Sequence, residues 1–327
     1  MNKQTRRSFL KTSLYTGATV AWTAKSWSQV KGANETLRCA TVGFRGRGGS
    51  HIGSITGMQK REQGVKLTAL CDVDQKVLDA GAAKHKVKGY QDIREMLEKE
   101  DLDVVTIATP NHWHTLAAIW AIQAGKDVYV EKPVSHNVWE GRQLVNAARK
   151  YKKIVQTGTQ ARSAKCLQDA VQWVQAGNLG KIKVSRGLCY KRRGSIGDIP
   201  DTKEVAREVD YNLWLGPAPK KPLTRSRLHY DWHWMWDYGN GDLGNQGIHQ
   251  MDIARWFLGE DAVSPRVWSV GGRLGYVDDG DTPNSQVVML DFDGVPLIFE
   301  VRGLPKDKAS QSNWGGNMDR YMGTRIG

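Results

Sequence analysis

Two residues in this sequence have side chains and settings suited to moving a proton or holding a developing charge: Lys132 and His249. Lys132 lies in Glu131-Lys132-Pro133, directly after the apolar run at 127–130, and His249 follows Asn245 by four positions. On a helix that spacing puts both side chains on one face, with Asp252 three residues further along. An ammonium can stabilise an oxyanion, and an imidazole can take and return a proton. An amide cannot accept a proton, so Asn245 only orients a hydroxyl. Proton removal then falls to His249 or to Lys132. The plainer account of a lone helical histidine is a satisfied surface or core residue.

The elements that would position Lys132 can be read from residues 103–133. Residues 103–108 are a short apolar run rich in β-branched side chains, which suits a strand buried on both faces of a parallel sheet. Thr109, Pro110 and Asn111 break it, residues 115–124 carry apolar positions at helical spacing, and Gly125 supplies the stop. With residues 127–130 extended again, this is one βαβ unit. Ligands of open parallel sheets sit beyond the carboxyl ends of the strands. Thr109, Pro110, Asn111, His114, Glu131 and Lys132 are therefore expected to line one crevice.

Upstream, residues 37–44 form a strand that runs into Gly43-Phe44-Arg45-Gly46-Arg47-Gly48. Glycines there allow positive φ and let backbone N–H groups approach a pyrophosphate at the next helix's N-terminus. The dinucleotide fingerprint wants glycine where Arg45 stands, so the motif alone is weak. Its context is stronger, because the strand at 66–71 ends on Asp72, placed to accept hydrogen bonds from an adenosine ribose. Gly43, Arg45, Gly46, Arg47, Gly48 and Asp72 are read as cofactor-binding, with NAD preferred over NADP since a carboxylate repels a 2′-phosphate. A helix N-cap is the competing role for Asp72. Helices at 75–85, 92–99 and 140–150 and a last strand at 153–157 complete a doubly wound parallel sheet.

Beyond Thr159 the pattern changes. Gln160, assigned to the cofactor side, and Arg162, assigned to the substrate side, mark the crossover ahead of a helix at 165–176. Strands are expected at 181–190, 266–271, 285–291 and 296–302. Residues 211–219, YNLWLGPAP, read as an irregular anchoring loop, and one helix is expected over 244–258. Residues 229–237, HYDWHWMWD, are the densest aromatic stretch. Aromatic faces stack on sugar C–H surfaces, so Trp232, His233 and Trp236 are candidate substrate residues beside Asn245 and His249, with about half of these tryptophans assigned to packing.

The glycine turn, Asp72, Thr109-Pro110-Asn111 with His114, and Glu131-Lys132-Pro133 together resemble the Gfo/Idh/MocA family of oxidoreductases. The resemblance implies an N-terminal Rossmann domain (34–158) followed by an α/β domain (159–327) whose large, mostly antiparallel sheet covers the nicotinamide. It also implies hydride transfer between a sugar hydroxyl carbon and NAD, with His249 as acid/base and Lys132 beside it; export to a compartment without a soluble NAD pool would require that NAD to be tightly bound. Members often carry Asp where this chain has Asn245. Glu131 would hold the nicotinamide side and tune the lysine, and Pro133 would fix the turn through a cis bond. Homo-oligomers through the outer sheet face are a further implication. The family's redox-neutral NAD-dependent glycosidases are the second reading, ranked lower because their Tyr-Pro-x-His signature is missing; a non-catalytic sugar- or NAD-binding protein is the third.

Composition narrows the classes. The 327 residues suffice for two cores, and the net charge of +13 owes five positive charges to Lys3, Arg6, Arg7, Lys11 and Lys25. No basic run interleaved with aromatics follows, which argues against nucleic acid. Arg6-Arg7-Ser8-Phe9-Leu10-Lys11 ahead of a short apolar stretch reads as a twin-arginine signal and linker (1–33). That would send the folded protein through the twin-arginine translocase to the periplasm, without stable membrane insertion. Cys39, Cys71, Cys166 and Cys189 have no metal-ligand spacing, and buried thiols are the default reading. Residues 321–327 look like the start of a further strand, as though the second domain were incomplete.

Overall fold

The structure, a computed structural model, describes residues 36–304 except 276 and 293, together with the backbone of 324–326. The expected leader therefore lies outside the described residues. The first domain carries β1 (Leu37–Val42), α1 (Gly48–Lys60), β2 (Val65–Cys71), α2 (Gln75–His85), β3 (Lys88–Tyr90), α3 (Ile93–Lys99), β4 (Val104–Ile107), α4 (Asn111–Gln123), β5 (Asp127–Val130), α5 (Val138–Tyr151) and β6 (Val155–Thr157). All six strands are parallel, in the order β3-β2-β1-β4-β5-β6. The order reverses between β1 and β4, which is where a crevice opens in such sheets.

Both faces of this sheet are covered. Phe44, Ile52, Leu70 and Leu78 fill the side under α1 and α2, and Met96, Ala118, Ala121, Ile122 and Leu144 fill the other. Runs of small residues let α4 lie close to the strands. That helix begins at Asn111, four residues earlier than its apolar spacing indicates, because it starts directly after Pro110, where a missing N–H costs nothing. Strand β3 is too short to leave a periodic signal and was not expected.

The second domain follows a 3₁₀ turn (Gln160–Ser163) with α6 (Lys165–Gln175), β7 (Ser185–Cys189), α7 (Tyr211–Leu215) and a second 3₁₀ turn (Asp231–Trp234). A π-helical turn (Leu243–Gly247), α8 (Ile248–Leu258), β8 (Arg266–Gly272), β9 (Ser285–Phe292), β10 (Val295–Arg302) and β11 (Thr324–Ile326) complete it. The sheet order is β11-β7-β10-β9-β8; β7 runs parallel to β10 and every other neighbour pair is antiparallel, so the sheet is mixed. Strand β7 starts at Ser185, not at 181. Residues 211–215 are helical where a loop was expected, since Asp210 caps them by accepting from the Leu213 N–H at 2.8 Å.

The helix expected over 244–258 forms without a break, but its start is π-helical and not α-helical. The π-helical turn at its start brings the backbone against two neighbours: a Cβ on Gly244 would lie 2.3 Å from Asn240 Cβ, and one on Gly247 would lie 2.9 Å from the Phe299 ring. Phe299 also faces Gly187, where an added Cβ would lie 2.5 Å from it. This ring thus wedges α8 onto the sheet, with Ala254, Leu297 and Val301 around it. Among the described residues no helix is long and apolar enough to cross a membrane.

Candidate functional site

The glycine turn is shaped by sterics. Gly43 sits at φ +73°, and a Cβ there would lie 2.9 Å from Thr109 backbone; a Cβ on Gly48 would lie 2.2 Å from the Gly43 carbonyl. Only glycine lets the turn fold back on itself and touch the exit of β4. Gly48 thus packs beneath the turn, outside the cavity lining, whereas Gly46 faces open space. Helix α1 follows with no acidic residue in its first turn; its Gly49 and Ser50 N–H groups donate to the Gly46 and Arg47 carbonyls at 3.0 and 2.9 Å, so what it offers an anion is chiefly the positive end of its dipole.

Asp72 is buried, accepting from the Phe44 N–H at 2.9 Å and the Asp74 N–H at 3.1 Å, while burial pushes its carboxyl up. It braces the glycine turn and still lines the cavity. The N-cap role belongs to Asp74, whose side chain accepts from Lys76 and Val77.

One cavity of about 450 Å³ runs from Asp72, Val73 and Gln91 past Thr109, Pro110 and Gln160 to Lys132, Asn245 and His249. Arg45, Gly46, Arg47, Asn111, His114 and Glu131 face it as well, as do Trp232 and His233. Its lining, with the glycine turn and a buried acid at one end and Lys132 at the other, fits an extended dinucleotide. Among the described residues no cluster of side chains is arranged to hold a metal ion.

Several lining residues are already held by protein partners. The His114 ring lies 2.6 Å from the Pro133 carbonyl and 2.8 Å from that of Thr109, tying the exits of β4 and β5 together. Burial lowers its basicity against those two carbonyls. Asn111 donates to Asn240 Oδ1 at 2.9 Å, and Asn240 donates to the His136 carbonyl at 2.8 Å. The Lys132–Pro133 bond is cis. Trp232 is largely packed in a cluster with Trp214 and Tyr238, and its ring stacks on His233 at 3.6 Å.

At the far end Lys132 Nζ donates to the Asn245 carbonyl at 2.5 Å and approaches Asn245 Oδ1 at 3.4 Å. Burial depresses the lysine to about 8, with Glu131 opposing that fall. Burial and then the Lys132 charge hold His249 at about 4, so its imidazole is neutral near pH 7. Burial alone would raise Glu131, but His51 and Arg47 donate to it and hold it at about 2. His51 left no sequence signal beyond its place on the helix after the glycine turn.

Two expected substrate residues lie elsewhere. Arg162 makes two 2.8 Å bonds to Asp252 and lies over the Trp256 ring, outside the cavity, because α8 presents that carboxylate to it first. Trp236 is 51% exposed and also lies outside, held by its backbone N–H to Asp281.

A strap from the second domain crosses the nucleotide end, through attachments that no local sequence pattern signals. The Asp210 N–H donates to the Val73 carbonyl at 3.0 Å, the Gln75 N–H to that of Glu208 at 2.8 Å, and His229 Nε2 pairs with Asp74 at 3.1 Å. On the other bank Trp113 Nε1 donates to the Leu213 and Trp214 carbonyls, both at 3.0 Å, and His112 Nε2 meets the Trp214 carbonyl at 3.0 Å. Gly216 permits this contact: at φ +49°, its Cβ would lie 2.2 Å from the Trp113 ring.

Comparison with known proteins agrees with this architecture. Residues 37–159 match the GFO_IDH_MocA oxidoreductase family, NAD-binding Rossmann fold, and residues 163–321 match its C-terminal alpha/beta domain. A glycosyl hydrolase family 109 protein of Solibacter usitatus is 34% identical over 166 residues, 45% of this chain and 37% of that protein. An alpha-N-acetylgalactosaminidase of Shewanella oneidensis is 33% identical over 130 residues, 36% of this chain and 27% of that protein. The chain thus aligns with only 37% of the first relative's length and 27% of the second's. Among solved structures, the WlbA dehydrogenase of Bordetella pertussis in complex with NADH and UDP-GlcNAcA superposes with a TM-score of 0.65 at 21% identity, covering 83% of this chain and 73% of that one. Myo-inositol 2-dehydrogenase of Lactobacillus plantarum gives 0.61 at 23%, covering 83% and 71%.

Proposed function

The chain belongs to the Gfo/Idh/MocA oxidoreductase family, and from that membership we propose that it transfers hydride between a hydroxyl-bearing carbon of a sugar or sugar derivative and a tightly held NAD. The observation that carries this reading is the single cavity joining Asp72 and the glycine turn to Lys132, Asn245 and His249. NAD supplies the hydride acceptor and donor when bound. Gly43, Arg45, Gly46, Arg47 and the α1 N-terminus are assigned to its pyrophosphate, and Asp72 to its ribose. Thr109, Pro110, Gln160 and Glu131 are assigned to the nicotinamide half.

The remaining chemistry belongs to the chain's own side chains. Lys132 keeps at least one N–H beyond those directed at Asn245, and that donor stabilises negative charge growing on the substrate oxygen. Neutral His249 takes the hydroxyl proton at an imidazole nitrogen and returns it in the reverse direction. Asn245 orients a neighbouring hydroxyl, and His233 stacked on Trp232 offers a flat wall to the sugar ring. The strap closes the nucleotide end, which supports slow release of the cofactor. Export through the twin-arginine route, read from Arg6 and Arg7, belongs to this proposal and is checked by cell fractionation with and without Arg6→Lys, Arg7→Lys.

A redox-neutral glycosidase acting through a transient keto sugar is the second reading. It is favoured by the names of the two curated relatives, and it uses the same residues. Incubation of the purified protein with sugars and glycosides separates the two. Net cofactor reduction with a keto product supports the dehydrogenase; glycoside cleavage without net reduction supports the glycosidase.

A further inference from the structure

Glu131 is held more firmly than a simple neighbour of Lys132 requires. Its Oε1 accepts from Arg47 Nε at 2.8 Å and His51 Nε2 at 3.0 Å, and its Oε2 accepts from the Lys132 N–H at 3.2 Å. A Cβ on Gly158 would lie 2.8 Å from Oε2, so only glycine at that position leaves the carboxylate its place. His51 is itself only 8% exposed, edge-on to the Tyr129 ring at 5.1 Å. Since a carboxylate only accepts, His51 presents Nε2–H to it. Its Nδ1 makes no hydrogen bond among the described residues.

The charges around Lys132 show what this clamp accomplishes. Arg47 faces the lysine from the glycine turn, and Lys191 and Arg193 do so from beyond β7, all three disfavouring another positive charge; Glu131 opposes them. His114 on α4, His233 in the aromatic segment and His249 on α8 also feel the lysine's charge. Asp242 is paired with Arg193 at 2.9 Å.

We propose that His51 is a positioning residue for the reaction: reaching from α1, it fixes the Glu131 carboxylate, whose charge keeps Lys132 an ammonium directed at Asn245 and the cavity. The inference rests on the role given to Lys132 above. It makes α1 part of the reacting centre, although His51 itself lies outside the cavity lining.

The test is a lysine side-chain NMR titration of the protein as purified, with the Lys132 signal assigned by its loss in Lys132→Met. His51→Phe keeps the ring volume against Tyr129 and removes the donor, while His51→Gln keeps a donor. The Lys132 midpoint falls in His51→Phe by roughly half a unit to one unit and returns in His51→Gln. Glu131→Gln lowers it further, and the alkaline limb of kcat moves in the same order. An unchanged midpoint in His51→Phe overturns the proposal and leaves His51 a packing residue. Hydride transfer that survives Lys132→Met would overturn the role given to Lys132 instead, a result distinct from the titration of His51→Phe.

Discussion

On the nucleotide bank of the crevice, Asp72, His114 and Glu131 each meet two or more protein groups within hydrogen-bond range. On the opposite bank, Asn245, His249 and the stacked His233 gather around one lysine that burial has lowered to about 8. The first bank has its geometry fixed before any ligand arrives; the second has its proton affinities tuned. Changes on the two banks should therefore fail differently, one in binding and the other in turnover, with Glu131 the exception because its charge also acts on Lys132.

The largest expected effect comes from Lys132→Met. Loss of the donor should lower hydride transfer by at least about 10²–10³-fold, while calorimetry shows NAD binding little altered. Equal losses of binding and turnover would break the contrast. Next is the strap: Gly216→Val forces a side chain where even a Cβ meets the Trp113 ring. Stopped-flow release of NADH should quicken by roughly tenfold, the consequence of about 1–3 kcal/mol of local strain.

The pH dependence sharpens the assignment on the tuned bank. With His249 as proton acceptor and Lys132 as ammonium, alcohol oxidation rises through about 4, stays level, and falls as the pH passes about 8. A lysine acting as the base gives the opposite slope at the alkaline end. Asn245→Asp sets a carboxylate beside Lys132 Nζ, so the alkaline limb should move upward by about one unit. Smallest of all, Arg162→Ala and Trp236→Ala should leave kcat/KM within about twofold, both lying outside the cavity.

Much of the nucleotide bank was legible in the sequence because it is local. The glycine turn, the strand ending on Asp72 and Glu131-Lys132-Pro133 each declare themselves within a few residues. Helix α4 extended to Asn111 because a proline before a first turn is permissive, and periodicity registers only apolar positions. What stayed hidden depends on distant contacts. His51 reaches Glu131 across 80 positions, and Trp113 reaches Leu213 across 100. Arg162 and Trp236 were misplaced for a related reason, since nothing local reveals that Asp252 and Asp281 receive them. The π-helical turn likewise depends on Asn240 and Phe299 pressing on two glycines, and Asn245 with His249 still reach the cavity through it.

The most direct measurement is the absorbance spectrum of protein purified without added cofactor, recorded before and after a panel of sugars, with products identified alongside. Bound nucleotide is expected from the outset, then growth of the reduced-nicotinamide band together with a keto-sugar product. Protein that carries no nucleotide, and shows neither reduction nor sugar conversion when NAD is supplied, would contradict it.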